Sequence, residues 1–343
     1  DELQEDTMNN PGSCLVIGGS GMLGFEIVRQ LRADGAPVRV LDLEPLPDEA
    51  PGVDARQGDL RRDADVSAAC EGMETVFLVA AAVWDVNTPR RVYEEVNVQG
   101  TARVIDACRR HGVRRLVYTS SMDVVVDGRK PIVDGDESLP YPARMPRDHY
   151  SRTKIIAEKM VLGASDERLA TCAIRPAGMY GPRDRYHLGN IIGMARRGVS
   201  MRLGDGSARF SHVYSENAAH AHVLAARHLD PGSAAAGQAY FVCDHFPATN
   251  LFDFMEKFLG ALGLPIPHRS IPYPLAYWLA AVAEIVAPRS NFNRFAVIQT
   301  CVDHTFVHHK AERDLGYRPI VSKEEAFERS VAWLKEGDPL PPG

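Results

Sequence analysis

Tyr150 and Lys154, in DHYSRTKIIAEK (148–159), stand four positions apart at the head of an apolar-patterned stretch. On a helix that spacing brings both side chains to one face. The spacing alone explains the pair without any chemistry, so the rest of the chain has to decide. Two serines, Ser120 and Ser121, end the apolar run in VRRLVYTSSMDVVV, and Tyr150 follows 29 positions after Ser121. These types suit proton exchange with a hydroxyl on a carbon that gives or takes a hydride. A phenol near its unperturbed pKa of roughly 10 is a poor base at neutral pH. A lysine ammonium one turn away, with a cationic nicotinamide nearby, favours the phenolate and lowers that pKa. The serine hydroxyl then orients the substrate oxygen, and the lysine can also bond a nicotinamide ribose. The competing structural readings are a strand-to-loop cap for the serines and a half-buried aromatic for the tyrosine.

A hydride carrier must be held beside such a group. CLVIGGSGMLGFEIVRQLRADG reads as strand, glycine turn and helix, with Gly18, Gly21 and Gly24 spaced G-x-x-G-x-x-G and Met22 and Leu23 inside the turn. Glycine there lets the backbone approach a pyrophosphate, whose charge faces the helix N-terminus, and the last glycine permits close helix–strand packing. The next strand, in VRVLDLE, ends in Asp42, 21 residues beyond Gly21, near the roughly 20 expected of a ribose-binding acid. A carboxylate accepts hydrogen bonds from the 2′- and 3′-hydroxyls and repels a 2′-phosphate, so NAD is expected over NADP. Asp59 in QGDL, followed by Leu60, fits a contact to the adenine amino group, with a plain loop aspartate as the alternative.

These residues need elements to position them. Cys14–Ile17, Val38–Leu41, Thr75–Val79, Arg115–Thr119 and Thr171–Ile174 are β-branched or apolar runs that read as strands. Segments near 22–33, 90–111, 149–164 and 188–197 read as helices. The alternation predicts an α/β chain with a Rossmann-type doubly wound parallel sheet. After about residue 178 turn formers and prolines loosen the pattern. Substrate sites in such sheets lie beyond the strand carboxyl ends, so a smaller, mainly C-terminal substrate-binding cap is expected. The resulting division is a mobile leader over 1–12, a dinucleotide-binding core over 13–178 and a mixed region containing the cap over 179–335. Late segments such as GQAYFVCD could still rejoin the main sheet.

Composition sets bounds on partners. The 343 residues are 45% hydrophobic and 24% charged, with a net charge of −6. That suits a soluble globular protein and argues against a nucleic-acid surface. Six cysteines (14, 70, 108, 172, 243, 301) are scattered singly, which reads as buried thiols in a reducing, cytoplasmic setting. PLAYWLAAVAEIVA (274–287) contains Glu284 and falls short of the roughly 20 apolar residues a membrane span needs. It reads as a helix covering a pocket, with docking on a membrane surface as the alternative. No metal is expected, because His220 and His222 lie two apart and His304, His308 and His309 have no clustered carboxylate or cysteine beside them. Trp84, Met122 and Tyr186 are candidates for the walls of a substrate pocket.

The chain as a whole resembles an extended short-chain dehydrogenase/reductase of the 3β-hydroxysteroid dehydrogenase group, most of all its 42E-type branch. GGSGMLG, VNVQGT (96–101), VYTSSMDV, GDESLPY (135–141), DHYSRTKIIAEK, IRPAGMYGP (174–182), SENAAHAHVLA (215–225) and KAERDLGYRP (310–319) carry the likeness. The resemblance implies that Ser121, Tyr150 and Lys154 carry catalysis, with Ser121 favoured over Ser120 by alignment alone. It implies that Asn97 positions the lysine through water, that Ala80 and Ala81 lie along the cofactor, and that Pro176–Ala177 pass beside the nicotinamide. Ile17 replaces a threonine usual before the first glycine, and Val125–Val126 replace a usual Tyr-Gly pair. The implied activity is NAD-dependent interconversion of a secondary alcohol and ketone on a large apolar molecule, a 3β-hydroxysteroid or sterol. A 4-carboxysterol that then decarboxylates is one such substrate. An NAD-dependent epimerase, a reductase of long-chain 3-keto acids and a non-catalytic NAD-bound sensor are the alternatives. Relatives of this kind pair as homodimers through the helices near 90–111 and 149–164.

Overall fold

Short β-branched runs settle into seven parallel strands in the computed structural model, which describes residues 10–47, 50, 52–85, 87–128, 130–198, 201–244, 248–287, 290 and 292–336. The strands are β1 (Cys14–Ile17), β2 (Val38–Asp42), β3 (Asp54–Gln57), β4 (Thr75–Leu78), β5 (Arg115–Thr119), β6 (Ala170–Pro176) and β7 (Gln238–Val242), in the order β7-β6-β5-β4-β1-β2-β3. Every pairing in this sheet is parallel. The order reverses between β1 and β4, which opens a crevice at the strand carboxyl ends. Both sheet faces are covered, so the central strands are buried along their whole length, and β1 is apolar at every position rather than alternating. Cys14 and Val16 join one core and Leu15 and Ile17 the other. The sequence reading missed β3: DARQ is a mostly exposed polar edge strand with no apolar signal. GQAYFVCD does rejoin the sheet, as β7 beside β6.

One face carries α1 (Met22–Ala33) and α6 (Ser215–His228), through Ile27, Val28, Leu31, Ala218 and Ala221. The opposite face carries α2 (Asp63–Cys70), α3 (Thr101–His111) and α4 (His149–Gly163), through Val66, Val104, Cys108, Ala157 and Val161. Immediately before α3 the chain winds through a helical turn, Arg90–Tyr93, and a π-helical stretch, Glu94–Gly100. Such widened turns occur mostly at functional sites. Of the leader expected over 1–12, residues 1–9 lie outside the described residues. The end of it is held rather than mobile, since Pro11 is buried and its carbonyl accepts from Thr75 Oγ1 at 2.6 Å.

Beyond β6 the chain builds a second layer over the crevice edge. α5 (His187–Arg196), α7 (Leu251–Ala261) and α11 (Lys323–Lys335) pack about Tyr180, Phe254 and Phe258. α8 (Tyr273–Val286) lies on α9 (Arg294–Cys301), burying Ala276, Ala280 and Val297. Glu284 fastens the pair by accepting from the Arg294 backbone N–H at 2.9 Å and from its guanidinium. A parallel pairing of Ile132–Gly135 with His304–Phe306 then ties the segment after β5 to the segment after α9. α10 (His309–Leu315) returns to β7, where Lys310 donates to the Ala239 carbonyl. Among the described residues no helix is long and apolar enough to cross a membrane.

The glycine turn is the tightest packing in the sheet–helix layer. A methyl built on Gly24 would overlap the Gly18 carbonyl oxygen, and one on Gly19 would meet Val40 at 2.7 Å. Gly24→Ala forces helix α1 away from β1, an overpacking that costs about 1–3 kcal/mol. The expected outcome is a lower urea midpoint with an unchanged denaturant slope, checked by equilibrium unfolding.

Candidate active site at the strand carboxyl ends

The carboxyl ends of β1, β2, β4, β5 and β6 bring the expected residues to one rim. Gly18, at φ 92°, follows β1 and lies so close to the loop after β4 that an added Cβ would meet Ala80 N at 2.6 Å. Gly21 begins α1 with room where a Cβ would stand; its nearest neighbour there is the Gly18 carbonyl oxygen at 3.6 Å. Met22 and Leu23 follow it, and the first turn of α1 carries no acidic side chain. An open glycine turn at a helix N-terminus whose first turn carries no acid fits an anionic pyrophosphate.

Asp42 closes β2 with its carboxylate at the same edge. Its Oδ2 accepts from Ser20 N at 2.9 Å and its Oδ1 from Glu44 N at 3.1 Å. A carboxylate has about four acceptor sites, so lone pairs remain for a ribose diol. Asp59, the residue expected at the adenine amino group, has a partner close by in sequence. Its carboxylate is held bidentate by Arg61 at 2.7–3.0 Å, which lowers its pKa. Leu60 beside it is buried against Gly100. Ala80 and Ala81, half-buried, continue from β4. Pro176 ends β6, and the Ala177 N–H is given to Val242 O at 2.9 Å.

Asn97, buried in the π-helical stretch, acts as a three-way clamp. Its Oδ1 accepts from Ala82 N at 2.8 Å, and its Nδ2 donates to Ala82 O and to Thr153 Oγ1, both at 3.0 Å. The loop bearing Ala80–Ala82 is thereby fixed to α4 one residue before Lys154.

Lys154 itself is buried, with Nζ donating to Thr119 O at 2.6 Å and lying 4.6 Å from the centroid of the Tyr118 ring. Burial pushes its ammonium down to about 7, against the charge of Glu158. Tyr150 is half-buried as a residue. Burial of the phenol, followed by the charge on Asp123, pushes its pKa above the ordinary value, although the nearby Ser121 hydroxyl opposes this. That differs from the lysine-lowered phenol expected from spacing. The ammonium is committed to the Thr119 carbonyl, and the charges bearing on the phenol are carboxylates.

The two serines separate by their partners. Ser121 caps the 3-10 turn Met122–Val125, accepting from Asp123 N at 3.2 Å and donating to Asp123 Oδ2 at 2.9 Å. Ser120 is buried with its N–H on Ile174 O at 2.7 Å, and its hydroxyl has no hydrogen-bond partner among the described residues. Ser121 is the serine whose hydroxyl bears on the Tyr150 phenol. Of the pocket-wall candidates, Met122 is buried and Trp84 stacks on Phe295 of α9, with centroids 5.8 Å apart. Tyr186 is 55% exposed before α5 and stands at an outer edge.

Sequence reasoning overlooked three groups. His222 of α6 is buried, bonds Thr119 Oγ1 through Nε2 at 2.8 Å, and so braces the residue that receives Lys154. Asp123 and Gln299 meet over Ser121, with Gln299 Nε2 donating to Asp123 Oδ1 at 2.5 Å. A lone acid inside the apolar run MDVVV was the available signal for Asp123. Gln299 is 176 residues away in sequence and carried none.

A glycine turn at β1, an acid ending β2 and a serine, tyrosine and lysine grouped at β5 and α4 define the short-chain dehydrogenase/reductase class. Within it the model of the 3-beta hydroxysteroid dehydrogenase/isomerase family matches residues 15–275, and the chain belongs to that family. It is 37% identical to the mouse (Mus musculus) sterol-4-alpha-carboxylate 3-dehydrogenase, decarboxylating, over 93% of this chain and 90% of that protein. It is 39% identical to mouse short-chain dehydrogenase/reductase family 42E member 1, over 94% and 86%. A 3beta-hydroxysteroid-dehydrogenase/decarboxylase of Arabidopsis thaliana is 37% identical over 93% and 78%. Among solved structures, MoeE5 in complex with UDP-glucuronic acid and NAD superposes with a TM-score of 0.74 at 23% identity, over 95% of this chain and 100% of that one. DesIV of Streptomyces venezuelae, a dTDP-glucose 4,6-dehydratase with NAD bound, gives 0.75 at 22%, over 96% and 100%.

Lys154 yields a stability test. Its folded pKa of about 7 lies below its unfolded value, so between about 7 and 10.4 the unfolded chain binds the extra proton. Lys154 therefore makes the protein gain stability as pH rises through that window. Lys154→Met is expected to flatten the rise in unfolding free energy between pH 7 and 9, measured by urea titration without added nucleotide.

Proposed function

We propose that this protein is an NAD-dependent dehydrogenase that oxidises a secondary alcohol on a sterol-like substrate, or reduces the matching ketone. The observation that carries the reading is buried Lys154 one helical turn from Tyr150, with Ser121 near the phenol, at the edge that also holds the glycine turn and Asp42. Gly18, Gly21, Gly24 and the start of α1 would hold the pyrophosphate, and Asp42 the adenosine ribose, with preference for the unphosphorylated cofactor. NAD supplies the hydride acceptor when bound. Tyr150 exchanges the substrate hydroxyl proton, Ser121 orients the substrate oxygen, and Lys154 holds the nicotinamide ribose. Asn97 keeps Lys154 in place by clamping α4 to the loop after β4.

The relatives named for sterol-4-alpha-carboxylate dehydrogenation support a 3β-hydroxysterol substrate. With a 4-carboxylate, oxidation at C3 creates a β-keto acid, which loses carbon dioxide readily. The proposed cap is the region beyond residue 178, with Trp84 and Phe295 as one apolar wall. Its α8 exposes Trp278, Ile285 and Val286 at 64%, 80% and 75%, which supports peripheral membrane contact by a cytoplasmic protein. Pairing as a homodimer through α3 and α4 is also proposed, supported by the half-buried Ile156 and Met160 on α4. The net charge of −6 weighs against a nucleic-acid partner.

Tyr150→Phe keeps the ring and removes the exchangeable proton. Turnover with a panel of 3β-hydroxysteroids and 4-carboxysterols, read by absorbance of the reduced nicotinamide, should fall at least about 10²-fold. Calorimetric NAD affinity should stay within about threefold, roughly 0.6 kcal/mol. Wild-type rates in this variant would refute the assignment.

A further inference from the structure

Ser121 has one hydrogen to give, and a buried carboxylate takes it. The 3-10 turn after β5 folds the Asp123 side chain back on the serine, and Ser121 Oγ donates to Asp123 Oδ2 at 2.9 Å. The same Ser121 oxygen accepts from Asp123 N at 3.2 Å. A serine hydroxyl has one donor hydrogen and two acceptor lone pairs, so Ser121 keeps a single lone pair for the crevice. On the far side of the carboxylate, Gln299 of α9 donates through Nε2 to Asp123 Oδ1 at 2.5 Å. The Gln299 Oε1 is buried with no hydrogen-bond partner among the described residues, so Asp123 is what sets the direction of this amide.

We propose that Asp123 and Gln299 are positioning residues that hold Ser121 as a hydrogen-bond acceptor, so that the site favours the alcohol over the ketone. This rests on the dehydrogenase reading given above, in which Ser121 meets the substrate oxygen. A secondary alcohol has a hydrogen to place on the remaining Ser121 lone pair. The matching ketone has lone pairs only, and two oxygens with no hydrogen between them repel. Gln299 adds a link to the cap, because it reaches Asp123 from α9, the helix whose Phe295 also stacks on Trp84. The polarity of the serine is therefore set by contacts that do not touch the substrate.

The arrangement holds while Asp123 is ionised, since a carboxylate can only accept. Burial pushes the Asp123 carboxyl up to about 6, with the Ser121 and Gln299 bonds pulling down and the charge of Asp148 adding to the rise. The groups facing it are Asp148 and Tyr150 from α4, Ser121 from the end of β5 and Gln299 from α9. At pH 8 the carboxylate form prevails. Below about 6 the group gains a proton. Gln299 already fills Oδ1 with a donor, so that proton goes to Oδ2, the oxygen beside Ser121. The acid then donates to Ser121 Oγ and frees the serine hydrogen for a ketone oxygen.

The test measures binding to the full chain in pairs that cannot react, a 3β-hydroxysteroid with the reduced cofactor and its 3-ketone with the oxidised one. The readout is the ketone Kd divided by the alcohol Kd, from calorimetry. Asp123→Asn with Gln299→Lys sets a donor-only ammonium against the new amide, drawing its oxygen away and turning its NH2 toward Ser121. The serine becomes a donor, and the ratio at pH 8 should fall about tenfold. Asp123→Asn with Gln299→Glu turns the amide the other way, and its ratio should stay within about threefold of wild type. Both chains share the change at 123, so a loss of fit there affects them alike. Adding Ser121→Ala to each should bring the two ratios together, which separates the serine's polarity from the added charges. The wild-type ratio, which needs no variant, should fall about tenfold from pH 8 to pH 5 with a midpoint near 6. Equal ratios in the two double variants, a gap that survives Ser121→Ala, or a wild-type ratio flat with pH would each overturn the assignment. If NAD binds but no alcohol or ketone in the panel turns over, the dehydrogenase reading fails and this inference with it. Turnover with unmoved ratios sinks this inference alone.

Discussion

The bond from Lys154 Nζ to the Thr119 carbonyl is the contact around which the site is organised. An ammonium buried under a sheet is costly, and it is tolerated where strong acceptors receive it. Thr119 is the last residue of β5, so this bond fixes α4 against the strand whose end presents Ser121. His222 holds the Thr119 hydroxyl from the other face of the sheet. Asn97 secures the next residue of α4 through Thr153. Movement of α4 would break the Lys154 and Thr153 bonds, so the tyrosine one turn before Lys154 is positioned by bonds that do not involve its own oxygen.

A second buried charge pair extends the same logic along α4. Glu158 and Arg175 meet at 2.7 Å with side chains 0% and 5% exposed, and Tyr141 donates to the same carboxylate. Such a pair adds little net stability over apolar packing, yet losing one member would strand a charge. It locks α4 to β6 one turn beyond the lysine. Helix α4 therefore carries a tyrosine, a lysine and a glutamate at successive turns, each tied to a different part of the sheet edge.

Much of this arrangement was legible in the sequence. β1 and β5 have the ends their apolar runs predict, and the glycine turn, Asp42 and Tyr150 stand at one edge because strand–helix alternation leaves little topological choice. What escaped the reading depended on long-range partners or weak local pattern. DARQ has no apolar face, so β3 went unseen. Gln299 acts on Asp123 only because two short strands, one after β5 and one after α9, pair with each other. The sign of the Tyr150 shift also escaped, since spacing on a helix says nothing of how deeply a phenol is covered. Asp59 was read as a nucleotide contact, and its pairing with Arg61 two residues away shows a local arrangement that the QGDL stretch does not advertise.

The thinness of the contact between α8 and α9 bears on where this fold can move. Ala276, Ala280 and Val297 form its buried core, far less apolar burial than holds the sheet layers. The free energy needed to part this pair is accordingly smaller than that needed to disturb the strands. Motion there can be confined to α8 and α9, while the glycine turn and α4 keep their geometry. Looseness in this pair and stiffness at the strand ends coexist in one chain because they draw on separate cores.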